Sequence, residues 1–252
     1  MNKAVLFLIL LVTHMHLKYP HDMKKLSMVF LSIFLLASCA VTEDMQLGLE
    51  SSSSTTEIEV YPFFVEVLED FSEFLPENDE PIMDAAIRDF TGGLESVAGA
   101  TEASYVKTGD LEYRVDFNFT NISDLLTRLG KVDNQSVISQ DEHGMKFYLD
   151  IDNYPELKEA IPFLADPNFE VYGPEYNEGM SEEDYLDMIY YLLGEEGPDA
   201  ITESAIKIDI RTPKNIKSIS GAEKTGASSF RYEFPLIDFL LLAEPMTFEV
   251  TW

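Results

Sequence analysis

Leu111-Glu112-Tyr113-Arg114-Val115-Asp116-Phe117-Asn118-Phe119 is the stretch that decides the fold class. Leu111, Tyr113, Val115, Phe117 and Phe119 share one side of an extended chain, while Glu112, Arg114, Asp116 and Asn118 take the other. Side chains alternate faces along a strand, so this spacing predicts a strand with one buried and one wet face. Such alternation belongs to antiparallel sheets, because parallel sheets are covered on both faces and read as unbroken apolar runs. Gly109-Asp110 just before it predicts a hairpin turn, with 101–108 as the other arm.

Working outward, the same period recurs. Met145, Phe147, Leu149 and Ile151 alternate after a turn at Glu142-His143-Gly144. Ile206, Ile208 and Ile210 alternate with Lys207, Asp209 and Arg211, and Phe230, Tyr232 and Phe234 with Arg231 and Glu233. Met246, Phe248, Val250 and Trp252 alternate with Thr247, Glu249 and Thr251. Between these lie helical patterns. Phe64, Val67, Leu68 and Phe71 predict a helix over 63–75, and further helices are expected at 81–94, 122–129 and 155–164. Ser181 with Asp184 predicts a cap for a helix over 182–193 that Gly194 stops, and 235–242 is almost wholly apolar. The expected class is α+β, an antiparallel β-sheet covered by helices. No internal repeat and no βαβ rhythm is visible. The run Ser51-Ser52-Ser53-Ser54-Thr55-Thr56 fits either a flexible tether or a Ser-rich hairpin turn. Apolar alternation at Met45, Leu47 and Leu49 before it, and at Ile58 and Val60 after it, favours the turn.

The amino-terminal segment carries a second kind of information. Residues 26–37 form an apolar run after Lys24-Lys25, shorter than the roughly 20 residues that span a bilayer. Basic start, apolar run and small residues together predict a secretory signal. Leu36-Ala37-Ser38-Cys39 then resembles a bacterial lipobox: an apolar residue, two small residues and an obligatory Cys. The resemblance implies that the Cys39 sulfur takes a diacylglyceryl group and that the chain is cut before it. Cys39 is the only cysteine, which removes intramolecular disulfides and Cys-based zinc sites as alternative roles. The expected organisation is a signal peptide at 1–38, with Met23 as a possible true start, a lipidated Cys39 with a short tether at 39–44, and an extracytoplasmic α+β domain at 45–252. Two or more acyl chains, such as palmitate, anchor a protein stably. By the same resemblance, Ala40 permits delivery to the outer membrane as well as the cell membrane.

A further likeness lies late in the chain. Ile206-Lys207-Ile208-Asp209-Ile210-Arg211-Thr212-Pro213, Ser220-Gly221 and Phe230-Arg231-Tyr232-Glu233-Phe234-Pro235-Leu236, after an early lipobox, resemble the LppM-like bacterial lipoprotein domain. Residues 155–194 are additional to that compact pattern. The resemblance implies an extracytoplasmic α+β domain in an envelope or lipid-related role, without catalysis.

Composition bounds the partners. The formal charge is -29, and Lys3, Lys18, Lys24 and Lys25 oppose only Asp22 within 1–38, so the remainder is more acidic still. Such a surface repels nucleic-acid phosphate and anionic headgroups. Nucleic acid is therefore not an expected partner, and membrane contact is expected only through the anchor. Hydrophobic residues at 46% support a folded core.

Chemistry-bearing motifs are sparse. His14, His16 and His21 precede Cys39, leaving His143 alone, in a predicted surface turn, so no triad, metal site or cofactor is expected. Calcium ligands could come from Asp150-Ile151-Asp152-Asn153, although Tyr154 and a missing Gly break the loop pattern. Glu175, Glu178, Glu182, Glu183 and Asp184 are denser, but helix-start charge and solvation explain them. Tyr185, Met188, Ile189, Leu192 and Leu193 predict one apolar helix face, and Leu236, Ile237, Phe239, Leu240, Leu241 and Leu242 surround another helix, buried or lining a cavity. The expectation is a lipid-anchored, non-enzymatic binding or structural domain of the envelope, with acidic loops at 172–184 meeting an unknown protein. The alternative is a carrier or sensor of an apolar ligand such as a lipid, and a hydrolase is the least supported.

Overall fold

The computed structural model describes residues 39–48, 50–62, 65, 81–96, 100–130, 136–160, 164 and 170–252. The lipobox residues Leu36, Ala37 and Ser38, and the helix expected over 63–75 apart from Val65, lie outside them.

Strands β1 (Cys39–Gln46) and β2 (Ser52–Val60) form an antiparallel hairpin. Helix α1 (Ile82–Ser96) leads to a second hairpin, β3 (Thr101–Lys107) and β4 (Glu112–Phe119), closed by Thr108 and Gly109 N–H groups on the Glu112 carbonyl. Next come α2 (Ile122–Gly130), β5 (Ile138–Gln140), β6 (Gly144–Leu149) and α3 (Tyr154–Ala160). Helices α4 (Glu182–Leu193) and α5 (Gly197–Glu203) precede β7 (Ala205–Arg211). The chain closes with β8 (Ser218–Ser220), β9 (Glu223–Gly226), β10 (Ser229–Pro235), α6 (Leu236–Leu241) and β11 (Met246–Thr251).

The strands make two sheets. One has seven strands in the order β3-β4-β2-β1-β7-β10-β9, and the other four in the order β5-β6-β11-β8. The class is α+β with antiparallel-rich sheets. It departs from the single antiparallel sheet of the sequence reading in two ways. A second sheet covers part of the first, and β1 pairs β7 in parallel, with Val41 opposite Ile206 and Gln46 opposite Arg211. Leu47 N–H extends that pairing onto the Arg211 carbonyl at 2.8 Å. Parallel neighbours need long connections, and here most of the chain lies between the two strands.

The hairpin turn is also displaced. The connection is 47–51, and Ser53, Ser54, Thr55 and Thr56 of the Ser/Thr run lie inside β2, with paired strands on both sides. Propensity alone disfavours Ser in a strand, and pairing in mid-sheet overrides it.

Two apolar clusters fill the interior. The first packs one end of the large sheet (Ile58, Val60, Tyr113, Val115) against Met83 and Ile87 of α1, Tyr185 and Ile189 of α4, and Leu236, Ile237, Phe239 and Leu240 of α6. The second lies between the two sheets, where Phe230 meets Phe248 at 5.4 Å and Tyr232 meets Phe248 at 5.0 Å between ring centroids. Outside, the large sheet is wet and ion-paired: Arg231 holds Asp209 through two N–H···O bonds, at 3.0 and 2.7 Å. Helix α4 begins as expected, with Ser181 Oγ accepting Asp184 N–H and Gly194 at φ 87 ending it. Leu192, expected on its apolar face, is exposed instead. In the β8–β9 turn Gly221 sits at φ 72, and a Cβ there would lie 2.2 Å from the Thr247 carbonyl oxygen. Among the described residues no helix is long and apolar enough to cross a membrane.

Candidate functional site

Register defines the interior of the large sheet row by row. Tyr113, Ile58, Val41, Ile206 and Phe234 stand side by side across β4, β2, β1, β7 and β10. Two residues along, the row is Val115, Thr56, Glu43, Ile208 and Tyr232. The next is Phe117, Ser54, Met45, Ile210 and Phe230. Glu43 therefore occupies an inward position, because Met45 and Leu47, two and four residues on, belong to the second cluster. Val41 packs on the first cluster and Met45 belongs to the second, so the acid lies at the seam between them.

Burial pushes the Glu43 carboxyl up from 4.5 to about 7. Thr56 Oγ1 donates to Glu43 Oε2 at 2.5 Å and pulls the other way, while the neighbouring charge of Asp44 adds to the rise. Taking a carboxylate out of water disfavours its charged form, which is the dominant cause here. One strand away on the same face, Ser54 is 2% exposed and its Oγ has no hydrogen-bond partner among the described residues. An unsatisfied buried hydroxyl carries a desolvation cost of about 1–3 kcal/mol. Glu43, Thr56 and Ile208 keep partial access, as do Phe117, Phe147 and Phe234, which touch both clusters.

Chemically, the arrangement offers one carboxyl near its midpoint at neutral pH and two hydroxyls in apolar surroundings. A protonated carboxyl donates as well as accepts. Few convergent polar groups in an apolar lining are what positions a small ligand. The neighbouring Asp44 alternates to the opposite face, so it does not pair with Glu43.

The residues singled out from sequence fall elsewhere. Cys39 is the first residue of β1, paired in the backbone with Val60. The expected tether at 39–44 is therefore strand: Val41 and Glu43 alternate with Thr42 and Asp44, and the acidic pair hid that period. His143 is exposed in the β5–β6 turn, where Asp141 Oδ1 accepts the N–H groups of His143 and Gly144. It borders an open cleft of about 530 Å³ with Asp124, Ser139, Lys146 and Glu249. Asp150 turns its carboxylate to Tyr148 Oη and to the N–H groups of Asp152 and Asn153, which caps the approach to α3. Glu170 and Glu175 both bind Lys158. Among the described residues no group of three or more His, Cys, Asp and Glu side chains is placed to hold a metal ion. In the 172–184 loop, buried Asn177 donates to the Val171 and Gly173 carbonyls while Tyr176 points outward, 67% exposed. Tyr185, Ile189 and the α6 residues are core, packed in the first cluster.

Sequence reasoning missed Glu43, Thr56 and Ser54. Their signal was the period itself: Glu43 interrupts Val41, Met45 and Leu47, and Ser52, Ser54 and Thr56 precede Ile58 and Val60 in phase. No protein-family model matches the chain, and no curated protein or solved structure matches it either.

Proposed function

We propose that this chain is a lipid-anchored envelope protein whose folded domain binds an apolar ligand between its sheets, without catalysing a reaction on it. Acylated Cys39 holds it extracytoplasmically at the cell membrane or outer membrane. The observation that carries the reading is the Glu43–Thr56–Ser54 group, enclosed between two apolar clusters with one hydroxyl unpartnered. The anchoring residue begins β1 itself, so an acylated chain stands its sheet directly at the bilayer, where an apolar molecule can pass without crossing water. Native mass spectrometry of the full chain tests this: the reading expects acyl mass on Cys39, abolished by Cys39→Ser, and a second, non-covalent apolar mass. Protein free of both, after expression in a cell that acylates lipoproteins, overturns it.

A protein partner is the second reading, favoured by Tyr190, Tyr191 and Leu192 at the end of α4, of which Tyr191 is 84% exposed. Aromatic side chains are enriched where proteins meet. Cross-linking in cells through a photoreactive residue at position 191 expects one discrete adduct, and a smear or none excludes it.

A further inference from the structure

The outermost strand of a sheet keeps a row of unpaired N–H and C=O groups, to which another strand can bond. Among the described residues three of the sheet edges are short: β5 and β8 have three residues each, and β9 has four, opening on Glu223 and Lys224. Short and charged edges resist further pairing. The remaining edge, β3, is seven residues long, and every residue of it except Ala103 is exposed.

Register identifies the open backbone groups. Thr108 N–H bonds the Glu112 carbonyl, and Lys107, Val106, Tyr105 and Ser104 stand opposite Tyr113, Arg114, Val115 and Asp116. Alternate residues of an antiparallel ladder turn both backbone groups to the same neighbour. Ser104 and Val106 therefore direct theirs to β4, while Tyr105 and Lys107 direct theirs outward. Among the described residues no backbone bond from another element reaches those two. The start of the strand differs. Its pairing slips between Thr101 and Ser104, and Glu102 lies at φ 55, so a bulge takes 101–103 out of line. The flat part is Ser104-Tyr105-Val106-Lys107. Val106 stands on the outer face of the sheet, 57% exposed, and Tyr105 and Lys107 lie on the inner side, where Asp84 of α1 holds Lys107 at 2.9 Å.

Charge and register together select the occupant. The chain carries -29 overall, yet this flat stretch holds no acid and one base, Lys107. A basic strand would meet Lys107, and an acidic strand would set its carboxylates beside Glu102 and Asp110, exposed at the two ends of the stretch. A strand with an uncharged centre meets neither, and this chain owns one. Repulsion between two acidic copies is spread over their surfaces and screened beyond about 8 Å at physiological salt. In an antiparallel pair of copies one register uses both open residues. The two-fold axis then passes at Val106, Tyr105 pairs with the partner's Lys107, and Lys107 pairs with the partner's Tyr105. The outward N–H and C=O groups of both residues are satisfied, and Val106 meets the partner's Val106 on the outer face. A shift by one pair in either direction draws the bulge or the Gly109-Asp110 turn into the ladder.

We propose that β3 is a self-association edge, through which two copies of this chain join antiparallel at 104–107 and make one continuous sheet. The contact is small, so the dimer is weak and depends on concentration.

The test is disulfide trapping in the full chain, with wild type as the control for its one native cysteine, Cys39. In the proposed register Val106 and the partner's Val106 form a non-hydrogen-bonded pair with Cα atoms about 4.5 Å apart, within disulfide reach. Ser104 and the partner's Ser104 are four residues apart along the strands, about 13 Å or more, beyond that reach. Val106→Cys should therefore give a disulfide dimer on mild oxidation, and Ser104→Cys and wild type should not. Sedimentation of unoxidised protein supplies a second readout. Wild type should show a growing dimer fraction as concentration rises, and Val106→Asp, which sets two carboxylates against each other at the axis, should lose it. Val106 is exposed, so neither substitution there opens the core. Equal trapping of Val106→Cys and Ser104→Cys means random collision or another register and overturns the proposal. A Val106→Cys chain that stays monomeric overturns it, as does a dimer that Val106→Asp leaves intact. A discrete disulfide adduct of Val106→Cys with a different polypeptide in cells, without the self-dimer, gives the edge to another protein's strand and also overturns it.

Discussion

Replacing Glu43 by Gln should stabilise the protein, and only at neutral to alkaline pH. In the folded chain the carboxyl is raised from 4.5 to about 7, chiefly by burial. The folded state therefore holds its proton over a range in which the unfolded chain has released it. Stability from this group is complete below about pH 4.5, declines as pH rises through the interval to about 7, and is constant above it. At about 1.4 kcal/mol per pKa unit the loss reaches at most about 3.5 kcal/mol. Gln retains the acceptor for Thr56 Oγ1 and carries no charge to desolvate, so it escapes this loss. Urea melts of wild type and Glu43→Gln at about pH 5 and about pH 8 should differ little at the first and by about 2–3 kcal/mol at the second. In thermal scans that is roughly 4–12 °C for a domain of this size. A difference that is the same at both pH values would show that the carboxyl is solvated in the folded state, and the buried-acid account would be wrong.

Three smaller outcomes follow from the same structure. Ser54→Ala removes an unpartnered hydroxyl and should leave the urea midpoint within about 0.5 kcal/mol of wild type or raise it, whereas a loss above about 1 kcal/mol means the hydroxyl has a partner in the fold. Gly221→Ala adds a Cβ 2.2 Å from the Thr247 carbonyl at φ 72 and should cost about 2 kcal/mol or more, read by denaturant melts; an unchanged midpoint would mean the β8–β9 turn is not as described. Ser181→Ala deletes the cap of α4 and should cost about 1 kcal/mol, with Ser181→Asp restoring most of it.

Much of the frame was legible because alternation and capping are local. The pattern over 111–119 gave β4, Ser181 and Gly194 bracketed α4, and the apolar 235–242 run became the buried α6. What was not legible depends on which strands meet. Nothing near Val41 or Ile206 in the sequence says that they lie side by side in parallel. The three-residue strands β5 and β8 are too short to show a period, so the second sheet was invisible. The site was hidden for a related reason. A Ser/Thr run and a Glu-Asp pair read locally as turn and tether, and only pairing with β4 and β7 turns them inward. Cys39 was read from a motif and not from fold physics, and it opens β1 where a tether was expected.

The central claim is that an acid inside the large sheet keeps its proton up to near-neutral pH. A carbon-13 NMR titration of side-chain-labelled Glu, with the Glu43 resonance assigned by its loss in Glu43→Gln, measures that directly. The account predicts a carboxyl midpoint of about 7, well apart from the other glutamates. A Glu43 resonance that titrates with them, near 4.5, contradicts it.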